Sequence, residues 1–135
     1  MRIFILILLV LFSVTGIFAQ KNKADSISRL LAIEKTDSNK VTLLWNMANV
    51  CNIYNPDTAM LLSREALDLA RKIKFVKGES MALGIAANTF VKIGNYPRAL
   101  EFYLQKLKLE EKRDDPGNMA TVTMNIGVVY VYQEE

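Results

Sequence analysis

Residues Ala48 to Lys72, ANVCNIYNPDTAMLLSREALDLARK, and Ala87 to Lys112, ANTFVKIGNYPRALEFYLQKLKLEEK, are two passes over one plan. Ala-Asn recurs at Ala48-Asn49 and Ala87-Asn88. A turn with Asn and Pro recurs at Asn55-Pro56 and Asn95-Tyr96-Pro97, and Ala59 or Ala99 follows it. Ala87 follows Ala48 by thirty-nine positions, and Ala99 follows Ala59 by forty. A third copy opens in MNIGVVYVYQEE, where Gly127 stands forty positions after Ala87. Such a period narrows the choice of fold more than composition does. One unit cannot bury its own apolar face, so successive units must stack.

The unit is helix–turn–helix. Ala59, Met60, Leu62, Ala66, Leu67, Ala70 and Ile73 keep the i, i+3, i+4, i+7 spacing of one helical face over residues 56–74. Asn55 suits an N-cap and Pro56 the first helical position, where a missing N–H costs nothing. Tyr96 to Arg113 repeats the design with Asn95 as cap. Asp114-Asp115-Pro116-Gly117 then breaks the chain, and Asp115 caps the next helix. The first helix of each pair is expected over about 38–54 and 77–93, with a short leading helix over 26–33. Ala48, Ala87 and Gly127, matched by Ala59 and Ala99, are expected where paired helices approach closely. Val128 to Tyr132 alone would favour a strand. Its register with Ala86-Ala87 makes it part of a third first-helix, an exposed apolar face awaiting a continuation or a partner.

Met1 to Ala19, MRIFILILLVLFSVTGIFA, has the layout of a secretory signal peptide: one Arg, an apolar run, and Ala19 before Gln20. Cleavage after Ala19 is expected; the alternative is an uncleaved anchor. Setting Arg2 aside leaves 16 Lys+Arg against 14 Asp+Glu, without the basic excess of a nucleic-acid binder. The single cysteine, Cys51, forbids an internal disulfide, and histidine is absent. With no histidine, the commonest general base and metal ligand is missing, and Ser63, Ser80 and Cys51 have no imidazole to activate them. Glu110-Glu111 and Asp114-Asp115 are consecutive and read as a solvated helix end. Cys51 reads as a small buried hydrophobe, with a redox or dimerising thiol as the alternative. No catalytic residue, metal or cofactor is expected.

The phased positions resemble the tetratricopeptide repeat (TPR) family. They are Leu44, Met47, Ala48, Ala59, Ala66 and Leu67 in the first copy. In the second they are Leu83, Ala86, Ala87, Phe90, Gly94, Tyr96, Ala99, Tyr103, Leu107 and the following Pro116, and in the third Ile126, Gly127 and Tyr130. The likeness covers about 39–135. It departs from the family in its period near 40 rather than 34, in Lys106 where a small residue is usual, in Cys51 where an aromatic is usual, and in a first turn one residue short. The resemblance implies an all-α fold: a right-handed TPR solenoid of antiparallel helix pairs, about two and a half repeats. The segments are then 1–19 (signal peptide), 20–38 (leader with a short helix), 39–76 (repeat 1), 77–115 (repeat 2) and 116–135 (first helix of an incomplete repeat 3).

With an export signal, long-period repeats resemble the N-terminal region of exported Bacteroidetes sensors that end in a histidine kinase or helix-turn-helix regulator. The implied function is an exported protein-interaction module, periplasmic or envelope-associated in a Gram-negative bacterium, that binds a peptide or protein in its concave groove. The alternatives are a free-standing periplasmic adaptor and the front part of a kinase whose enzymatic domain lies beyond this chain. A membrane is expected only through the signal segment or a downstream span, and self-association through the C-terminal helix. In this family the first helix of each pair lines the groove, which singles out Trp45, Asn46, Asn49, Asn52, Asn88, Lys92 and Asn125. An amide both donates and accepts, so it can pair with an extended backbone without reading side chains. The bland alternative for these residues is hydrogen bonding between repeats and plain solvation.

Overall fold

The computed structural model describes residues 23–134. The expected export segment lies outside the described residues. Among the described residues there are six helices and no strand: α1 (residues 23–33), α2 (Asp37–Cys51), α3 (Pro56–Lys72), α4 (Val76–Lys92), α5 (Tyr96–Arg113) and α6 (Pro116–Glu134). No helix among them is long and apolar enough to cross a membrane. The segment 128–132, strand-like in composition, is helical, as its register with α4 demands.

The connections keep a stricter beat than the side chains. Lys74, Gly94 and Asp114 all have positive φ (57°, 76° and 52°), and they stand twenty positions apart. Each is followed by a backbone bond that closes the helix behind it: Phe75 N to Ala70 O, Asn95 N to Phe90 O and Asp115 N to Glu110 O. This is the six-to-one closure of a left-handed helix C-terminus. Asn55, Asn95 and Asp115 then cap the helices that follow them. Asn55 Oδ1 accepts from Thr58 N at 3.0 Å, Asn95 Oδ1 from Arg98 N at 3.3 Å, and Asp115 Oδ1 from Asn118 N at 3.0 Å. The α2–α3 turn lacks the left-handed residue, and there Asn55 N returns only to Cys51 O. That is the structural form of the short first turn, and α2 ends at Cys51 rather than at Tyr54.

Each helix from α2 to α6 packs on the next, and α2 also meets α4. Ala48, Ala59, Ala87 and Ala99 are wholly buried, as their phase requires. One apolar cluster joins Leu44, Ala66, Leu67, Ala82 and Leu83; a second joins Ala87, Ala99, Tyr103, Val122 and Val129. Ala24 and Ile27 of α1 close over Val50 of α2. Gly127 departs from the expectation of close approach. A Cβ at this position would meet nothing within 4 Å, because no helix among the described residues lies against that side of α6. The tight glycine is Gly78. A Cβ there would stand 2.6 Å from Val41 Cγ1 and 2.5 Å from Phe75 Cδ1, so α2 and Phe75 close down on bare backbone.

Candidate functional site

The face shared by α2 and α4 carries most of the residues singled out from sequence. Trp45 is half-buried. It packs against the Leu44–Leu83 cluster and lines a cleft of about 130 Å³ with Thr42, Phe75, Lys77, Gly78 and Met81. The missing side chain at Gly78 lets α2 approach and so shapes this cleft between α2 and the start of α4. An indole half-exposed at such a lip offers a large apolar surface with a single donor.

The amides divide into distinct roles. Asn46 Nδ2 donates to Thr42 O at 2.8 Å, a bond within its own helix. Asn49 is exposed. Asn52 Oδ1 is shut off from solvent and accepts no hydrogen bond among the described groups. Lys92 reaches across from α4: its Nζ donates to Asn52 O at 2.5 Å and also to Ile53 O. A cation on the terminal carbonyls of α2 complements the helix dipole and ties the two helices together. Asn88 turns the other way, its Oδ1 accepting from the Tyr103 hydroxyl of α5. Asn125 is half-buried on α6. The structure thus brings Asn52 and Lys92 together beside exposed Asn49, places Trp45 at a separate cleft, and assigns Asn88 to the α4–α5 contact.

That contact holds the residues that sequence reasoning missed. Glu110, expected in solvent with Glu111, is instead wholly buried, and only Glu111 is exposed. Consecutive residues stand about 100° apart on a helix, so one carboxylate can face the partner while the next faces water. Glu110 Oε1 accepts from the Ser80 hydroxyl and from Lys106 Nζ at 3.1 Å, and its Oε2 accepts from an Arg113 terminal nitrogen at 2.5 Å. Lys106 Nζ also donates to Ser80 Oγ at 2.7 Å. The Lys106 stem lies over Gly84, whose Cβ would come within 3.3 Å of Lys106 Cδ. Tyr103, Lys106 and Glu110 on α5 therefore lie over Asn88, Gly84 and Ser80 on α4 as one polar seam. Its sequence signal is the small pair Ser80 and Gly84, four apart, opposite the ion pair Lys106 and Glu110, also four apart.

Titration behaviour follows these environments. Burial pushes the Tyr103 hydroxyl up to about 12. Tyr54 also rises to about 12, first through its hydrogen bond with Cys51 and then through burial. Cys51 itself is buried, with Sγ 3.5 Å from the Tyr54 hydroxyl. Asp115 is held below the usual carboxylate range by the Asn118 backbone and side-chain bonds, with Arg113 and Lys106 adding to it. Among the described residues no cluster of three or more His, Cys, Asp or Glu is placed to hold a metal ion. Ser63 Oγ donates back to Ala59 O at 2.7 Å, a bond within its own helix. No protein-family model matches the chain, and no curated protein matches it.

Proposed function

We propose that the chain is an exported protein-interaction module of long-period tetratricopeptide type. In this reading the α2–α4 face is the inner wall of a groove for an extended peptide, and the module serves as the sensory front of an envelope signal-transduction protein. The observation that carries it is the forty-residue register, which coincides with antiparallel helices closed at twenty-residue steps. Stacked helix pairs act by offering extended surfaces. Trp45 supplies the apolar anchor, since aromatic side chains at pocket edges carry much of the energy of an interface. Asn49 supplies the free amide, and Lys92 holds the wall in shape.

The test is a peptide-display selection on the purified full chain, with the Trp45 fluorescence of selected peptides' complexes read by titration. Trp45→Ala or Asn49→Ala is expected to weaken binding about tenfold or more, the equivalent of about 1.4 kcal/mol, with helix content unchanged. For Trp45→Ala, which removes the fluorophore, calorimetry replaces fluorescence. Selection of no peptide, or of peptides indifferent to both substitutions, would overturn the groove.

A further inference from the structure

The core around Tyr103 shows what a filled contact between repeats looks like. Tyr103 is buried with Ala87, Ala99, Val122 and Val129, and Leu100, Leu107 and Ile126 pack against that cluster. One period earlier, Ser63 stands in place of Tyr103 and Ala86 in place of Ile126. Met60 and Leu67 keep the apolar character of Leu100 and Leu107. Two large side chains thus give way to two small ones, and their volume is not recovered. A pocket of about 100 Å³ is left among α3, α4 and α5.

Ser63 and Ala86 line this pocket, and Met60, Leu67, Phe90 and Phe102 supply its apolar walls. The two phenylalanine rings lie 5.3 Å apart between centroids, tilted by 43°. Inside, the only hydroxyl is that of Ser63, whose proton is committed to Ala59 O. Arg64 completes the lining from the solvent side, where it is exposed on α3. Among the described residues it makes no ion pair, even with Asp68 one turn further on. No carboxylate lines the pocket.

We propose that this pocket binds a small branched-chain carboxylic acid, with the alkyl group among Met60, Leu67 and the two rings and the carboxylate on Arg64. A guanidinium fork matches a carboxylate and holds it by two parallel bonds. The size follows from the volume. An apolar cavity of about 150 Å³ holds benzene, so one of about 100 Å³ suits a branched chain of about four carbons. A peptide terminus fits less well, since it would bring a backbone amide to a rim that offers only Arg64 and the committed Ser63 hydroxyl. The pocket shares no lining residue with the α2–α4 cleft and stands independently of the peptide groove.

The test follows the amide resonances of the purified, isotope-labelled full chain during titration with isovalerate. Saturable shifts centred on Ala86 and Phe90 are expected, with a Kd of about 1 mM or tighter. Isovaleramide, which keeps the shape and loses the charge, is expected to bind at least about tenfold more weakly. Arg64→Gln should weaken isovalerate by about the same factor and leave isovaleramide unchanged. Arg29→Gln, at an exposed position on α1, should alter neither. Ala86→Ile, which installs the residue of the next repeat, is expected to abolish binding of both with helix content retained. The comparison of acid with amide decides the need for charge even if Ala86→Ile fails to fold. N-acetylleucinate, which adds an amide beside the carboxylate as a peptide terminus does, is expected to bind more weakly than isovalerate. No saturable shift, equal affinity for acid and amide, binding that survives Ala86→Ile, or a preference for N-acetylleucinate would each overturn the proposal. None of these results would touch the α2–α4 groove, whose test reads Trp45 and Asn49.

Discussion

Truncating Glu110 leaves Lys106 Nζ buried against Ser80 alone, with no counter-charge in contact. Glu110→Ala is therefore expected to lower stability by about 3–5 kcal/mol, read from the urea midpoint. Lys106→Met combined with Glu110→Leu should recover most of that loss, because replacing a whole buried ion pair by apolar groups removes both desolvation costs. Arg113 is the outer member of the cluster and lies 3.6 Å from Asp115. Asp115 has the opposite character, lying at the surface and held down by its capping bonds. Its folded value is depressed, so its contribution is fully present above its ordinary value of 3.8 and is lost as pH falls through the lower folded value. Protection of the amides in the first turn of α6, taken relative to free-chain exchange at the same pH, is expected to fall below about pH 4, and Asp115→Asn should flatten that pH dependence. The cap is legible in the sequence because it is local: Asp, Pro and Gly within three residues. Glu110 is not. Its burial depends on Ser80, thirty residues away, being small and hydroxylated, which no window around Glu110 contains.

At the scale of elements, the same division separates turns from contacts. Asn55, Asn95 and Asp115 announce the starts of α3, α5 and α6, and all three cap as expected. Lys74 is opaque, since nothing local marks a lysine for the left-handed region, and only the twenty-residue beat through Gly94 and Asp114 explains it. A side chain with a Cβ is strained there and glycine is not. Lys74→Gly is expected to stabilise the chain by about 1 kcal/mol and Gly94→Ala to destabilise it by about as much, both measured by chemical denaturation. Among the candidate groove residues, the phase places Asn49 and Lys92 on the α2–α4 side, yet it does not foretell that Lys92 caps α2. That role depends on the end of α4 passing the end of α2, where Lys92 Nζ reaches Asn52 O. Asn88 shares a helix with Lys92, and its bond to Tyr103 shows how about 40° around that helix decides between groove and seam.

Taken whole, the molecule is a row in which each helix from α2 to α6 rests on its neighbours, so local stability should follow position in the row. Amide exchange is expected to be slowest in α4, which α3 and α5 cover and α2 also touches. It should be fastest along α6, which packs chiefly on α5. The all-α architecture and the order of the pairs are legible because periodicity survives every local ambiguity. The packing inside each pair is not, because the pairs solve it in opposite ways. In the first, Val41 and Trp45 take the places of Ser80 and Gly84, while Ala66 and Ala70 take those of Lys106 and Glu110. The second pair inverts bulk and charge, with bare backbone on α4 beneath long charged side chains on α5. If α3 docked on α4 as it does on α2, alanines would lie over a glycine and leave a void. If α5 docked on α2 as it does on α4, lysine and tryptophan would compete for one volume. Repeats this alike in outline are prone to trade partners while a chain, or two chains together, are still folding. The seam beneath Lys106 makes such an exchange costly, so the chain can repeat a pattern without its copies becoming interchangeable.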